Sequence, residues 1–177
     1  MLLKEYLVKN MIVKGTIFKT LKDLDRLFTK ENDPTKQLFY SKLALMELCG
    51  WIEVTMDNIV EGVYKKNISN PEHIKKVQNE IKRNSNFHYE DNFKKMLSHV
   101  IGLSSIEEIE KKATQQKLLT LKATLESLKI PRNSAAHTFI KGAGTSIDAP
   151  SVTLSNFMIL FEGFKDFKAT MKIVGLL

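Results

Sequence analysis

A chain of 177 residues, 43% of them hydrophobic, can enclose one sizeable core without disulfides or a structural metal, so a single domain spanning residues 1–177 is expected. The lone cysteine excludes a disulfide framework and suits a reducing, cytoplasmic setting, and no unbroken apolar stretch reaches the length needed to cross a bilayer. A net charge of +7 favours anionic partners without choosing among them.

Apolar residues recur at intervals of three and four, while β-branched alternation at period two is missing, which predicts an all-α bundle of about six to seven helices. Residues near 2–12 and 16–30 read as two helices separated around Gly15, with Ile17, Leu21, Leu24, Leu27 and Phe28 forming a stripe on the second. Asp33 and Pro34 then supply an N-cap acceptor and a first-turn proline. The helix expected over roughly 35–65 carries Leu38, Leu45, Cys49, Ile52, Met56, Ile59 and Val63 on one side and Tyr40, Ala44 and Trp51 on another. Two apolar faces mark it as the central helix, packed from more than one direction.

Asn70 and Pro71 repeat the capping signal and open a polar helix to about Arg83. A further helix is expected from Glu90 to Ile101, buried through Phe93, Met96, Leu97, Val100 and Ile101 and ended by Gly102. Ser104 and Glu107 have capping-box spacing, and the helix they start is expected to run through Leu118, Leu121, Leu125 and Leu128. Pro131 is expected to stop it at Ile130, because proline disfavours helical geometry in the residue before it. After the loop Lys141-Gly142-Ala143-Gly144, which lacks the context of a nucleotide-binding phosphate loop, Asp148, Pro150 and Ser151 introduce a last helix striped with Leu154, Phe157, Leu160, Phe161, Phe164, Phe167, Met171 and Val174.

The run Ile130-Pro131-Arg132-Asn133-Ser134-Ala135-Ala136-His137 carries the strongest chemical signal. Histidine exchanges protons near neutral pH, and arginine holds phosphate through paired hydrogen bonds. Were a new helix to begin at Pro131, its free first-turn amides would form an anion site beside Arg132. In an uninterrupted helix, by contrast, Arg132 and His137 would diverge by about 140° while Asn133 and His137 shared a face. Charge sets this run in a basic stretch: from 111 to 141 the bases Lys111, Lys112, Lys117, Lys122, Lys129, Arg132 and Lys141 stand against one acid, Glu126. The bare spacing is weak, since Arg83-Asn84-Ser85-Asn86-Phe87-His88 repeats it among more acids. His73, His88 and His99 lack the spacing and companions of a metal site, so neither metal nor cofactor is expected, and Cys49 reads as a small buried apolar residue.

Three segments together resemble the HEPN superfamily of helical nucleotide-binding and RNase domains, within it the RiboL-PSP-HEPN group: Leu45–Asp57, Asn86–Leu103 with Phe-His-Tyr-Glu-Asp-Asn-Phe-Lys-Lys-Met-Leu at its centre, and Leu128–Thr138 with Arg-Asn-Ser-Ala-Ala-His. The family signature is an arginine, usually followed by a polar residue, with a histidine four to six positions on, late in the domain before the last helix. Only the later copy has that position. The resemblance implies Arg132, Asn133 and His137 as active-site residues and, less directly, Glu53 as the acidic residue of the core helix. Glu53 falls within an apolar arc by helical angle, where a carboxylate needs a partner, and Arg132 or His137 would serve.

The activity implied is metal-independent RNA cleavage, by ribose 2′-hydroxyl attack on the adjacent phosphorus, in toxin–antitoxin or phage-defence settings. The same resemblance implies a homodimer bringing two motifs to one cleft, with an antitoxin or a nucleotidyltransferase as candidate further partners. Two other readings stand beside it: a non-catalytic module of the same fold that holds RNA, a nucleotide or a protein, and a structural dimerising helical domain whose partners meet the phenylalanine-rich last helix or its neighbours. A structural account of the motif itself has Arg132 capping a helix end through a carboxylate such as Glu53 and His137 as a satisfied core histidine.

Overall fold

Asp33 and Asn70 each sit in extended backbone, accept a hydrogen bond from an amide of the following turn, and precede a proline at the first helical position. These caps begin two of the six helices in the computed structural model of the chain, which describes residues 12–137 and 146–177. The order is α1 Gly15–Lys30, α2 Pro34–Asn67, α3 Pro71–Arg83, a π-helical turn Tyr89–Lys94 leading into α4 Lys95–Lys112, α5 Gln115–His137 and α6 Pro150–Ile173. Among the described residues there is no strand. The helix expected near 2–12 and the glycine loop at 141–144 lie outside them.

Helix α2 runs through the middle and touches each of the other five helices. Its apolar residues are buried on both expected sides, Leu45, Ile52, Met56 and Ile59 on one and Ala44 and Trp51 on the other. The Trp51 ring meets Phe157 edge-on at 4.9 Å and Phe164 at 6.0 Å, and its Nε1 donates to the Val13 carbonyl at 2.7 Å. Phe93, from the π-helical turn, completes this aromatic layer against Phe164 and Phe167. Helix α3 buries little beyond Val77, as its polar sequence requires. No helix among the described residues is long and apolar enough to cross a membrane.

Helices α5 and α6 approach tightly at Gly163, where an added Cβ would lie 2.8 Å from the Leu121 Cβ. Glycine is needed there for lack of space. Gly163→Ala is expected to force the helices apart and cost about 1–3 kcal/mol, read as a lower urea midpoint; an unchanged midpoint would mean the contact yields freely.

Three boundaries differ from expectation. Gly102 does interrupt the helical backbone, with φ 76° and ψ 160°, but α4 resumes at once on its far side. Ser104 makes no capping hydrogen bond, and Glu107 instead pairs with Lys111 at 2.6 Å. The helix expected to run from there through Leu128 breaks at Ala113, where the Thr114 backbone amide and hydroxyl donate to the Asp166 carboxylate of α6 at 2.9 and 2.8 Å. A carboxylate 52 residues away thus does the work of a local cap.

The larger correction concerns Pro131. Helix α5 continues through it to His137. An interior proline removes one helical hydrogen bond at a cost of about 3 kcal/mol. The offset is tertiary: Leu128 and Ala135 are buried on either side of the proline, and Arg132 is tied to α2 and to the segment before the π-helical turn. A small cavity of about 110 Å³ remains beside Pro131 and Ser127, between α2, α5 and α6.

Candidate functional site

Glu53 stands on α2 between Cys49 and Asp57, four residues from each, so all three lie along one face of the helix. Arg132 reaches that face from α5. Its Nη2 pairs with Glu53 Oε1 at 3.3 Å and donates to the Ser85 carbonyl at 3.1 Å, while Nη1 donates to Asn133 Oδ1 at 3.1 Å. About a quarter of each of the Arg132 and Glu53 side chains stays open to solvent. The carboxylate in the apolar arc therefore has the cationic partner its position demands, and the partner is Arg132.

Asn133 and His137 are exposed one helical turn apart at the end of α5, on the same face. His137 has no polar partner among the described residues, in contrast to His88, which contacts Glu126 and Asp91, and His99, which pairs with Glu80 at 2.7 Å. Because α5 is continuous, Arg132 and His137 are swung about 140° apart. A new helix N-terminus beside Arg132 does not form, and the anion site expected from its free amides is withdrawn.

The expected concentration of positive charge is also corrected. Lys111 and Lys112 pair with Glu107 and Glu108 one turn before them, Lys117 with Glu162 and Asp166 of α6, and Lys122 with Glu90 and Glu110. Counting charges within 111–141 misses these acids, which lie outside it. Burial pushes the Glu110 carboxyl upward, but hydrogen bonds from Lys122, Lys94 and Tyr89 outweigh it and hold the group below its ordinary range.

The earlier Arg-Asn-Ser copy joins the site through its backbone. Besides the Ser85 carbonyl on Arg132, Asn84 lies beside Asp57 and accepts from Asn92 Nδ2 at 2.8 Å. Three buried polar atoms here lack partners: Arg132 Nε, Asp57 Oδ1 and Asn84 Nδ2. Burial raises the Asp57 carboxyl from 3.8 to about 6, with Asn84 partly opposing and Glu53 and Glu61 adding to the shift. Sequence reading passed over Asp57, although its spacing from Glu53 places both on one face.

For an acid whose folded pKa is raised, the folded chain binds more protons than the unfolded chain between those two values. Stability is therefore lost as pH rises from about 4 to about 6. Asp57→Asn is expected to stabilise the protein at pH 8 by about 1 kcal/mol, allowing for solvent at this half-open group, and to do little at pH 3.5. Thermal melts across that range check it; an equal effect at both ends would remove titration as the cause.

Cys49, at the top of this face, is buried, and burial pushes its thiol up to about 12, against the pull of Arg132. That suits packing and disfavours a thiolate nucleophile. Among the described residues no three His, Cys, Asp or Glu side chains cluster to hold a metal ion. In comparisons with known proteins, no family model, curated protein or solved structure matches the chain.

Proposed function

We propose that the protein is a metal-independent endoribonuclease of the HEPN type that works as a homodimer. The observation that carries this reading is the exposed His137, without a polar partner among the described residues and on the same helix as Arg132; the Arg132–Glu53 pair at 3.3 Å is compatible with it but is expected equally by the structural reading. Held this way, the guanidinium is preorganised and still reachable by solvent. The exposed Asn133 and His137 follow it on the same helix.

In this reaction the ribose 2′-oxygen bonds to the adjacent phosphorus and the bond from phosphorus to the 5′-oxygen breaks. A cyclic phosphate and a 5′-hydroxyl result. One proton leaves the 2′-hydroxyl and one reaches the departing 5′-oxygen, tasks suited to imidazole, while Arg132 holds the charge of the phosphorane and Asn133 orients the phosphate or the ring. The homodimer is what the resemblance implies, and the divergence of Arg132 and His137 along α5 is compatible with it: a second copy would supply the imidazole that one chain turns away from its own arginine. An antitoxin or nucleotidyltransferase partner belongs to the same proposal.

The test is cleavage of single-stranded RNA in EDTA by the wild-type chain and by His137→Ala, with the product ends identified. Equal activity in the two, or no cleavage by a wild-type dimer, would end the nuclease reading. One observation favours a second reading, a module that binds RNA without cutting it: most of the bases between 111 and 132 are already neutralised within the chain. That module would show salt-sensitive RNA binding weakened by Arg132→Ala, with no products.

A further inference from the structure

Eleven large apolar side chains are exposed among the described residues, and five of them, Val13, Leu27, Phe39, Leu43 and Val54, share one face made by α1 and α2. On α2, Phe39, Leu43, Met46, Gly50 and Val54 recur at spacings of four, three, four and four, which confines them to an arc of about 80°. Helix α1 runs beside them in the opposite direction: Gln37 Nε2 donates to the Phe28 and Glu31 carbonyls at one end, and Trp51 Nε1 to the Val13 carbonyl at the other. Between the two helices lies a groove of about 310 Å³, lined by Val13, Thr16, Thr20, Gly50, Trp51 and Val54 among others. Single exposed apolar residues are ordinary, but a contiguous stripe of them beside a groove marks a contact surface.

Gly50 is the informative residue. It stands in the interior of a 34-residue helix, where glycine is the poorest choice after proline. Unlike Gly163, it has no neighbour to explain it, because an added Cβ would meet nothing within 4 Å. The missing side chain leaves a hole that opens outward. The one charged residue lining the groove is Glu47, so a chain of net charge +7, whose copies repel each other elsewhere, meets no excess of positive charge here.

We propose that this face is a contact between two copies of the chain, with α2 packed antiparallel against α2 of the second copy about a two-fold axis. In such a contact each meeting of two different residues occurs twice. An axis passing between Leu43 and Met46 sets these two opposite each other across the copies. The same axis sets Phe39, the one aromatic ring of the stripe, opposite Gly50, so a single register places a ring against a hole at both ends. The stripe from Phe39 to Val54 is about 22 Å long and α1 widens the face to about 20 Å, so two copies cover on the order of 900 Å² in projection and more in accessible surface, which reaches the roughly 1,000 Å² expected of a specific interface. The inference gives the homodimer of the nuclease reading a surface, but it uses nothing of that reaction's chemistry.

Sedimentation of the full chain at about 100 µM is expected to show a dimer, with the dissociation constant raised at least about tenfold by Gly50→Leu and dimerisation abolished by Leu43→Glu. Both positions are exposed, so melting temperatures taken at a dilution where the wild type is monomeric should not fall in either variant. The register is tested by cysteine pairing. Phe39→Cys mixed with Gly50→Cys should give disulfide-linked dimers under mild oxidation that neither variant gives alone, because like positions lie about 16 Å apart along the helix pair, beyond the reach of a disulfide. The native Cys49 is buried, and the wild type serves as its control. Dimers that survive Leu43→Glu and give no mixed cross-link overturn this face while leaving the homodimer of the nuclease reading to another surface. A wild-type monomer also overturns it, and the melts then identify the cover: a lower melting temperature in Leu43→Glu assigns the stripe to residues 1–11 of the same chain, and an unchanged one to a different protein. None of these measurements involves RNA, so they stand apart from whether the chain is a nuclease.

Discussion

His137→Ala is expected to reduce RNA cleavage by about a thousandfold while leaving stability within about 0.5 kcal/mol of wild type. The combination matters more than either part. His137 is exposed and makes no polar contact among the described residues, so its removal strands no partner among them. A large loss of activity without a loss of stability or of self-association would then reflect chemistry or substrate contact. Arg132→Ala does not separate these causes. It removes the guanidinium proposed to hold phosphate and also leaves Glu53 and the Ser85 carbonyl without their donor, a structural cost of about 1–3 kcal/mol. Rates measured with a capped, single-stranded oligonucleotide, alongside urea denaturation of the same preparations, distinguish the two variants. If His137→Ala lost stability as well, the ring would have a packing role and the chemical assignment would weaken.

Phe93→Ala is expected to destabilise the protein by about 3–5 kcal/mol, a large part of the roughly 5–15 kcal/mol that holds a domain together. Phe93 is fully buried, and its ring packs edge-on or tilted against Tyr89, Phe164 and Phe167 at 5.4–6.1 Å. It also anchors the π-helical turn. The segment just before that turn carries Ser85, whose carbonyl accepts from Arg132, and Asn84, which accepts from Asn92 within the turn. Loss of the ring should therefore loosen the site as well as the core. A fall in urea midpoint at unchanged slope would show the cost, and faster amide exchange across 84–88 would show its spread. A loss below about 1 kcal/mol would mean that neighbouring rings close the gap and that the turn is held by other contacts.

Features governed by neighbouring residues were legible in the chain itself. The caps at Asp33 and Asn70 follow from a side-chain acceptor two residues before the amide it serves, and the stripes on α2 and α6 follow from helical periodicity. The pairing need of Glu53 could be read the same way, because its angle on α2 was known before any partner was. The failures share one cause. Pro131 stays helical because Leu128, Ala135 and the Arg132–Glu53 pair outweigh the lost hydrogen bond, and the break at Ala113 is made by Asp166. Charge was misjudged for the same reason: each lysine between 111 and 122 meets an acid that lies outside the counted stretch.

The order of amino acids by itself determined that this is an all-helical chain, where α2 must be buried from two sides, and which arginine, asparagine and histidine stand out chemically. Such properties depend on spacings of a few residues, which the helix converts directly into faces and caps. Only the tertiary structure decided that α5 passes through Pro131, that Arg132 meets Glu53 while His137 turns away, and that the earlier Arg-Asn-Ser run reaches Arg132 through the Ser85 carbonyl. Those outcomes are sums over contacts between residues dozens of positions apart, where a few kcal/mol of packing or pairing override a local preference of similar size.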